Sequence, residues 1–224
     1  MSQFPVLTID GPAGSGKGTV AEHVAQTLGW QLLDSGALYR LVALAAQKKK
    51  IAFDDNSRLT ELAETLDAVF LPCEEGSTEV RLDNKDVTQA IRSEDCGLMA
   101  SKIAAKAGVR KALLKRQRDY LISPGLVADG RDMGTVVFPD AFAKVFLTAS
   151  VEERAKRRFN QLNQKGVDVS LASLIIDIEE RDFRDINRSE APLIAANDAI
   201  TIDTSHLSIK QVVTQVLAIV KNRQ

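Results

Sequence analysis

The sequence predicts an α/β fold, a parallel sheet covered by helices, with a small antiparallel β insertion and a short lid. Three observations lead there. Short apolar strands alternate with helix-period segments along most of the chain. A glycine-rich turn joins the first strand to the first helix. Residues 67–88 then break the rhythm with three strand-like runs separated by tight turns.

Val6-Leu7-Thr8-Ile9-Asp10 reads as the first strand, and a helix follows from about Lys17 to Leu28. Gln31-Leu32-Leu33 is a second short strand that ends at Asp34-Ser35-Gly36 and leads into a helix through Leu44. Asp67–Leu71, Thr78–Leu82 and Lys85–Val87, joined at Glu75-Gly76 and Asp83-Asn84, read as an antiparallel meander beside the main sheet. Such an insertion suits a substrate flap better than an independent domain. Leu126-Val127-Ala128 and Val145-Phe146-Leu147 are further buried strands. Ala199-Ile200-Thr201-Ile202 is the last strand, before a closing helix from about Ser208 to Lys221. The expected organisation is one domain over 1–224, with an insertion at about 50–105 and a lid at about 154–170.

A chain of 224 residues suits one α/β domain with small insertions. Its 45% apolar and 26% charged residues are the balance of a globular protein. A net charge of −1 supplies no global field to recruit a nucleic acid polymer or an anionic membrane. No apolar run approaches the ~18 residues of a membrane span, and Met1-Ser2-Gln3-Phe4 lacks a signal-peptide pattern. Cys73 and Cys96 have no CxxC spacing or histidine pair, so they read as buried reduced thiols rather than zinc ligands. A cytoplasmic protein is expected. With no obvious exposed apolar stripe, a monomer is expected too.

The strongest signal is Asp10-Gly11-Pro12-Ala13-Gly14-Ser15-Gly16-Lys17-Gly18-Thr19. Gly11, four residues, then Gly16-Lys17 matches the first seven positions of a phosphate-binding P-loop. Glycines let backbone N–H groups converge on phosphate oxygens, the following helix adds its positive end, and lysine reaches the β/γ-phosphates. The fold class thereby narrows to the P-loop NTPase type. One departure stands out. Gly18 occupies the place of the usual Ser or Thr, and the hydroxyl arrives one position later at Thr19. The Mg²⁺ that accompanies ATP is therefore expected to be held largely through water. Asn84-Lys85-Asp86-Val87 is a near miss to a guanine-recognition motif and reads as a turn.

Phosphoryl transfer needs positive groups around spread negative charge and little covalent help. Arg40 lies on the helix after the second strand, and Arg131 follows the strand ending at Asp129. Positions beyond strand C-termini are where α/β folds bind ligands. Arg181, Arg184, Asp185 and Arg188 are spaced to share a helix face, so Arg181, Asp185 and Arg188 can act in one cleft. The competing reading is a solvated face with intrahelical pairs. Arg154, Arg157 and Arg158, followed by Gln164-Lys165-Gly166, read as a basic lid over ATP. Lys48-Lys49-Lys50 reads as a solvated helix end and Trp30 as core, and neither His23 nor His206 has a catalytic partner by spacing.

The loop Gly11–Thr19 resembles that of nucleoside monophosphate kinases. Leu33-Asp34-Ser35-Gly36-Ala37-Leu38-Tyr39-Arg40, Ala128–Pro139 and Arg181-Asp182-x-Arg184-Asp185-x-Asn187-Arg188 together resemble the bacterial cytidylate kinase family. The likeness covers nearly the whole chain. It implies reversible transfer from ATP to CMP or dCMP. Gly11, Pro12, Ala13, Gly14, Ser15, Gly16, Lys17, Gly18 and Thr19 would bind ATP, with Arg157 and Arg158 over its phosphates. Lys17, Arg131 and Arg188 would stabilise the transferred group, and Arg40, Arg131 and Arg188 would hold the CMP phosphate. Ser35, Ser101, Arg110 and Asp132 would read the base, and Arg181 and Asp185 the sugar. Asp129 would be an outer-sphere Mg²⁺ partner. Cytosine offers an N4 amino donor that a carboxylate such as Asp132 can accept, whereas uracil presents a second acceptor there. A related small-molecule kinase and a nucleotide-binding switch with little turnover stand as alternatives.

Overall fold

The computed structural model describes residues 4–72, 78–164 and 166–223. The elements in chain order are β1 (Val6–Asp10), α1 (Lys17–Leu28), β2 (Gln31–Asp34), α2 (Ser35–Lys48), α3 (Asn56–Glu64), β3 (Ala68–Pro72), β4 (Thr78–Leu82) and β5 (Lys85–Asp86). They continue with α4 (Glu94–Ala104), α5 (Ala107–Arg118), β6 (Leu126–Gly130), β7 (Ala143–Thr148), α6 (Val151–Gln164), α7 (Leu171–Asn187), β8 (Ile200–Asp203) and α8 (Ile209–Lys221). The chain forms two compact units. One runs to Asp34 and resumes at Arg118; the other is Ser35–Gln117, wider than the insertion the sequence suggests.

The first unit holds a five-stranded sheet in the order β2-β6-β1-β7-β8. Every pairing is parallel, with Val6 opposite Leu126, Asp34 opposite Asp129, Asp10 opposite Phe146 and Thr148 opposite Asp203. Because the strands share one direction, Asp10, Asp34, Gly130, Thr148 and Asp203 end on one edge of the sheet. β1 and β6 are buried at all positions, as central strands of a doubly covered parallel sheet must be. Leu7, Ile9, Val24, Val145, Leu147, Val212, Val216 and Val220 build a continuous core between this sheet, α1 and α8. Each such side chain contributes about 1.5–3 kcal/mol by leaving water. Trp30 packs against that core while only half-buried.

Local chemistry sets the boundaries. Gly29, at φ 67°, closes α1 in the left-handed conformation that glycine tolerates. α8 begins at a reciprocal capping box between Ser208 and Gln211, and Ser170 caps α7 through the N–H of Ser173. α6 and α7 pack together through Ala155, Leu162 and Leu174. Outward, α7 exposes Ile176, Ile186 and Phe183, the last 69% exposed. This apolar exposure was not apparent in the sequence. Between β6 and β7 the chain makes a π-helical turn, Met133–Val137, that no sequence period announces.

In the second unit α2 packs against α4, burying Leu38, Leu41, Val42 and Ile103. α2 runs to Lys48, one turn beyond the expected end, and Lys49 and Lys50 are exposed. β3, β4 and β5 form the antiparallel meander. Asp83 and Asn84 sit at φ 49° and 59°, so the β4–β5 connection is a hairpin turn with both central residues left-handed. The near-guanine motif is thus a turn and a strand. The expected Glu75-Gly76 turn, and Cys73, lie outside the described residues. Arg116 fastens α5 to the start of β3 by donating to the carbonyls of Leu66 and Ala68. Among the described residues, no helix is long and apolar enough to cross a membrane.

Candidate active site

The P-loop leaves β1 at Gly11, where any side chain is excluded: a Cβ would lie 2.1 Å from the Leu147 carbonyl oxygen. Ser15 Oγ donates to the Pro12 carbonyl at 3.0 Å, and Lys17 Nζ reaches the same carbonyl at 3.3 Å. Thr19, in the first turn of α1, is exposed. Thr204, just past β8, donates to the Ser15 carbonyl at 3.0 Å, which fixes the loop from the far side of the sheet.

Gly18 has a steric reason. A Cβ there would sit 3.3 Å from Asp129 Oδ2, so the Ser or Thr of the general pattern would press on that carboxylate. Asp129 is buried, and its Oδ1 has no hydrogen-bond partner among the described residues. Burial raises its pKa to about 7, helped by Asp34 and Asp10 and opposed by Lys17 and Arg131. Burial likewise lowers Lys17 to about 8, assisted by the Arg131 and Arg181 guanidiniums against Asp129 and Asp34. A buried carboxylate with an unsatisfied oxygen beside the loop suits a hard divalent cation held through water. Among the described residues, no cluster of three or more His, Cys, Asp or Glu side chains forms a metal cage.

Beyond β6 the cationic groups gather. Arg131 Nε donates to Asp185 Oδ2 at 3.0 Å, and Arg188 Nη2 lies 3.8 Å from Asp132 Oδ1. Burial alone would raise the Asp185 pKa, but Arg131, then Arg181 and Arg188, hold it below the usual carboxylate value. Lys17, Arg131, Arg181 and Arg188 thus share one electrostatic neighbourhood with Asp129, Asp132 and Asp185. Arg184 does not join them. It pairs with Glu180 at 3.6 Å on the exposed side of α7.

The basic helix after β7 divides differently from the sequence reading. Arg154 is buried, donating to the carbonyls of Ala149 and Ala13 and pairing with Asp182, so it braces the P-loop against α6 and α7. Arg157 reaches the Gly14 carbonyl at 3.5 Å and holds Thr204 through its carbonyl and hydroxyl. Arg158 donates to Gln161 on its own helix. Lys165 lies outside the described residues.

In the second unit, Ser35 opens α2 and is buried, while Arg40 Nη1 donates to the Ile91 and Ser93 carbonyls at 2.7 and 3.1 Å. Gly97 makes room for that guanidinium, since a Cβ would lie 2.9 Å from Arg40 Nη2. Ser101 on α4 is buried, and its Oγ has no hydrogen-bond partner among the described residues. Arg110 stacks over Tyr39 at 5.7 Å from the ring centre and donates to Ala104. Cys96 is a free, buried thiol whose pKa burial pushes up. His23 and His206 are exposed.

The sequence model of the cytidylate kinase family matches residues 7–222. The chain belongs to the cytidylate kinase family. It is 56% identical over 213 residues to the cytidylate kinase of Colwellia psychrerythraea, covering 95% of this chain and 94% of that one. It is 56% identical over 218 residues to that of a Marinomonas species, covering 97% and 96%. Against the cytidylate kinase of Methylococcus capsulatus it is 55% identical over 219 residues, covering 98% of each. In this cytidylate kinase family member, sequence reasoning passed over Thr204, the Arg154–Asp182 pair and the buried carboxylate of Asp10. Only Asp10 carries a sequence signal, a charged residue closing an apolar strand.

Proposed function

We propose that this chain transfers the γ-phosphoryl group of ATP to CMP and dCMP, giving ADP and CDP or dCDP. The observation that carries this reading is the neighbourhood of Lys17, Arg131, Arg181 and Arg188 beside the P-loop, within a chain of this family. A phosphate oxygen of CMP attacks the γ-phosphorus in line, and the bond to the β,γ-bridging oxygen of ATP breaks. No protein nucleophile is needed. Lys17, Arg131 and Arg188 stabilise the charge that spreads over the transferred group.

Gly11–Thr19 cradle the ATP phosphates. Arg157 and Arg158 belong to a lid over 154–170 that shields them. Mg²⁺ bound with ATP would neutralise phosphate charge, and Asp129 and Thr19 would help to hold it. Asp132 accepts from the cytosine amino group, while Arg181 and Asp185 hold the sugar. The second unit contains the monophosphate-binding insertion, where Arg40 takes phosphate and Ser35, Ser101 and Arg110 take the base. These roles fit a small-molecule enzyme of the cytoplasm. A coupled assay of ADP release with CMP, UMP, AMP and GMP tests the proposal. CMP should exceed each of the others by about tenfold or more in kcat/KM. Equal rates with all four would refute the base assignment, and no ADP release with any would refute the kinase.

A further inference from the structure

Asp10 closes β1 immediately before the P-loop, and both its carboxylate oxygens accept backbone N–H groups from far along the chain. It is 5% exposed, and it accepts from the Met133 N–H through Oδ1 at 2.9 Å and from the Gly134 N–H through Oδ2 at 2.8 Å. Those are the leading N–H groups of the π-helical turn that directly follows Arg131 and Asp132. At its trailing end, Arg118 donates to the Val137 and Val136 carbonyls at 3.0 and 3.2 Å. An anion at the N–H end and a cation at the carbonyl end match the polarity of a helical turn.

Asp132 occupies the N-cap position of this turn, where an aspartate ordinarily accepts its own helix's N–H groups. It makes no such bond. Asp10 has taken those donors from a neighbouring strand, and the Asp132 carboxylate turns towards Arg188 instead. The turn is also seated without slack. A Cβ on Gly134 would meet Thr8 Oγ1 at 2.8 Å and Lys144 Cδ at 3.2 Å. Single π-helical turns recur at functional sites because they aim side chains an α-helix would not.

We propose that Asp10 is a positioning residue for acceptor recognition: by capping the turn after Asp132, it keeps the Asp132 carboxylate directed at the cytosine base. This rests on the reading of Asp132 given above. Asp10 touches neither substrate and acts through Asp132.

The test is Asp10→Asn, an isosteric change that sets an amide donor against one of the two N–H groups. The CMP-over-UMP ratio of kcat/KM should narrow about tenfold relative to the parent protein, while the KM for ATP stays within about twofold. Amide hydrogen exchange at Met133 and Gly134 should accelerate by about tenfold or more. Combining Asp10→Asn with Asp132→Ala should narrow the ratio no further than Asp132→Ala alone. Gly134→Ala, which displaces the turn without changing charge, should reproduce the narrowing if Asp10→Asn does not fold. An unchanged ratio in a folded variant, or an ATP KM that rises as much as that for CMP, overturns the proposal. The acceptor panel on the parent protein separately decides the cytidine reading.

Discussion

Arg131 Nε donates to Asp185 Oδ2 at 3.0 Å, tying the chain just past β6 to the last turn of α7. Asp185 is the carboxylate on which three guanidiniums converge, since Arg181 and Arg188 act on it as well. Asp185→Asn keeps an acceptor and removes the charge, leaving the three cations to repel one another. Stability at neutral pH should fall by about 2–3 kcal/mol, less than for a fully buried pair because Arg131 keeps some solvent contact. The sign with pH is fixed. A carboxyl whose folded pKa is depressed contributes fully above its unfolded value of about 4 and loses that contribution as pH falls through the folded value. Urea midpoints of parent and variant should therefore differ at about pH 7 and draw together as pH falls below about 4. A constant gap across that range would contradict the pairing.

Asp129 has the opposite linkage. Its folded pKa is raised to about 7, so its favourable contribution is complete below the unfolded value and is lost as pH rises through the folded one. Asp129→Asn removes that pH-dependent cost. Its melting temperature should match the parent near about pH 4 and exceed it at about pH 8, by several degrees for a gain of about 2 kcal/mol. Turnover with Mg-ATP should meanwhile drop about 100-fold or more. A variant less stable than the parent at the alkaline end would show that burial does not dominate this carboxyl.

Gly18→Ser restores the general P-loop pattern but should not improve the enzyme. Its Cβ would crowd Asp129 Oδ2, 3.3 Å from the ideal position, and displace that carboxylate. The expected result is a kcat lowered about tenfold with a higher Mg²⁺ requirement. Unchanged or faster turnover in a Mg²⁺ titration would mean that the glycine is incidental.

The P-loop between β1 and α1 was legible because its physics is local. Glycine spacing, the preceding apolar strand and Lys17 define the loop within ten residues, and α1 begins at Lys17 and ends at Leu28 as the sequence indicates. The meander was legible for the same reason, since Asp83-Asn84 carries its own turn chemistry. What was not legible depends on partners distant in sequence. Arg154 has the spacing of an exposed basic face, but Asp182 lies 28 positions on and only the packing of α6 on α7 joins them. Arg184 illustrates the limit of face arguments. At about 100° per residue it points about 100° from Asp185 around the helix. Arg188 joins the cluster from just beyond α7, where the backbone turns extended at ψ 140°. The π-helical turn has no hydrophobic period at all, so nothing local marked Asp10 as its cap.

The central claim is that phosphate passes from ATP to a cytidine acceptor chosen by its base. A single-turnover competition with γ-labelled ATP and equimolar CMP and UMP measures both parts at once. Label should appear in CDP over UDP by about tenfold or more. Equal labelling of CDP and UDP, or label recovered only as inorganic phosphate or unreacted ATP, would contradict the account.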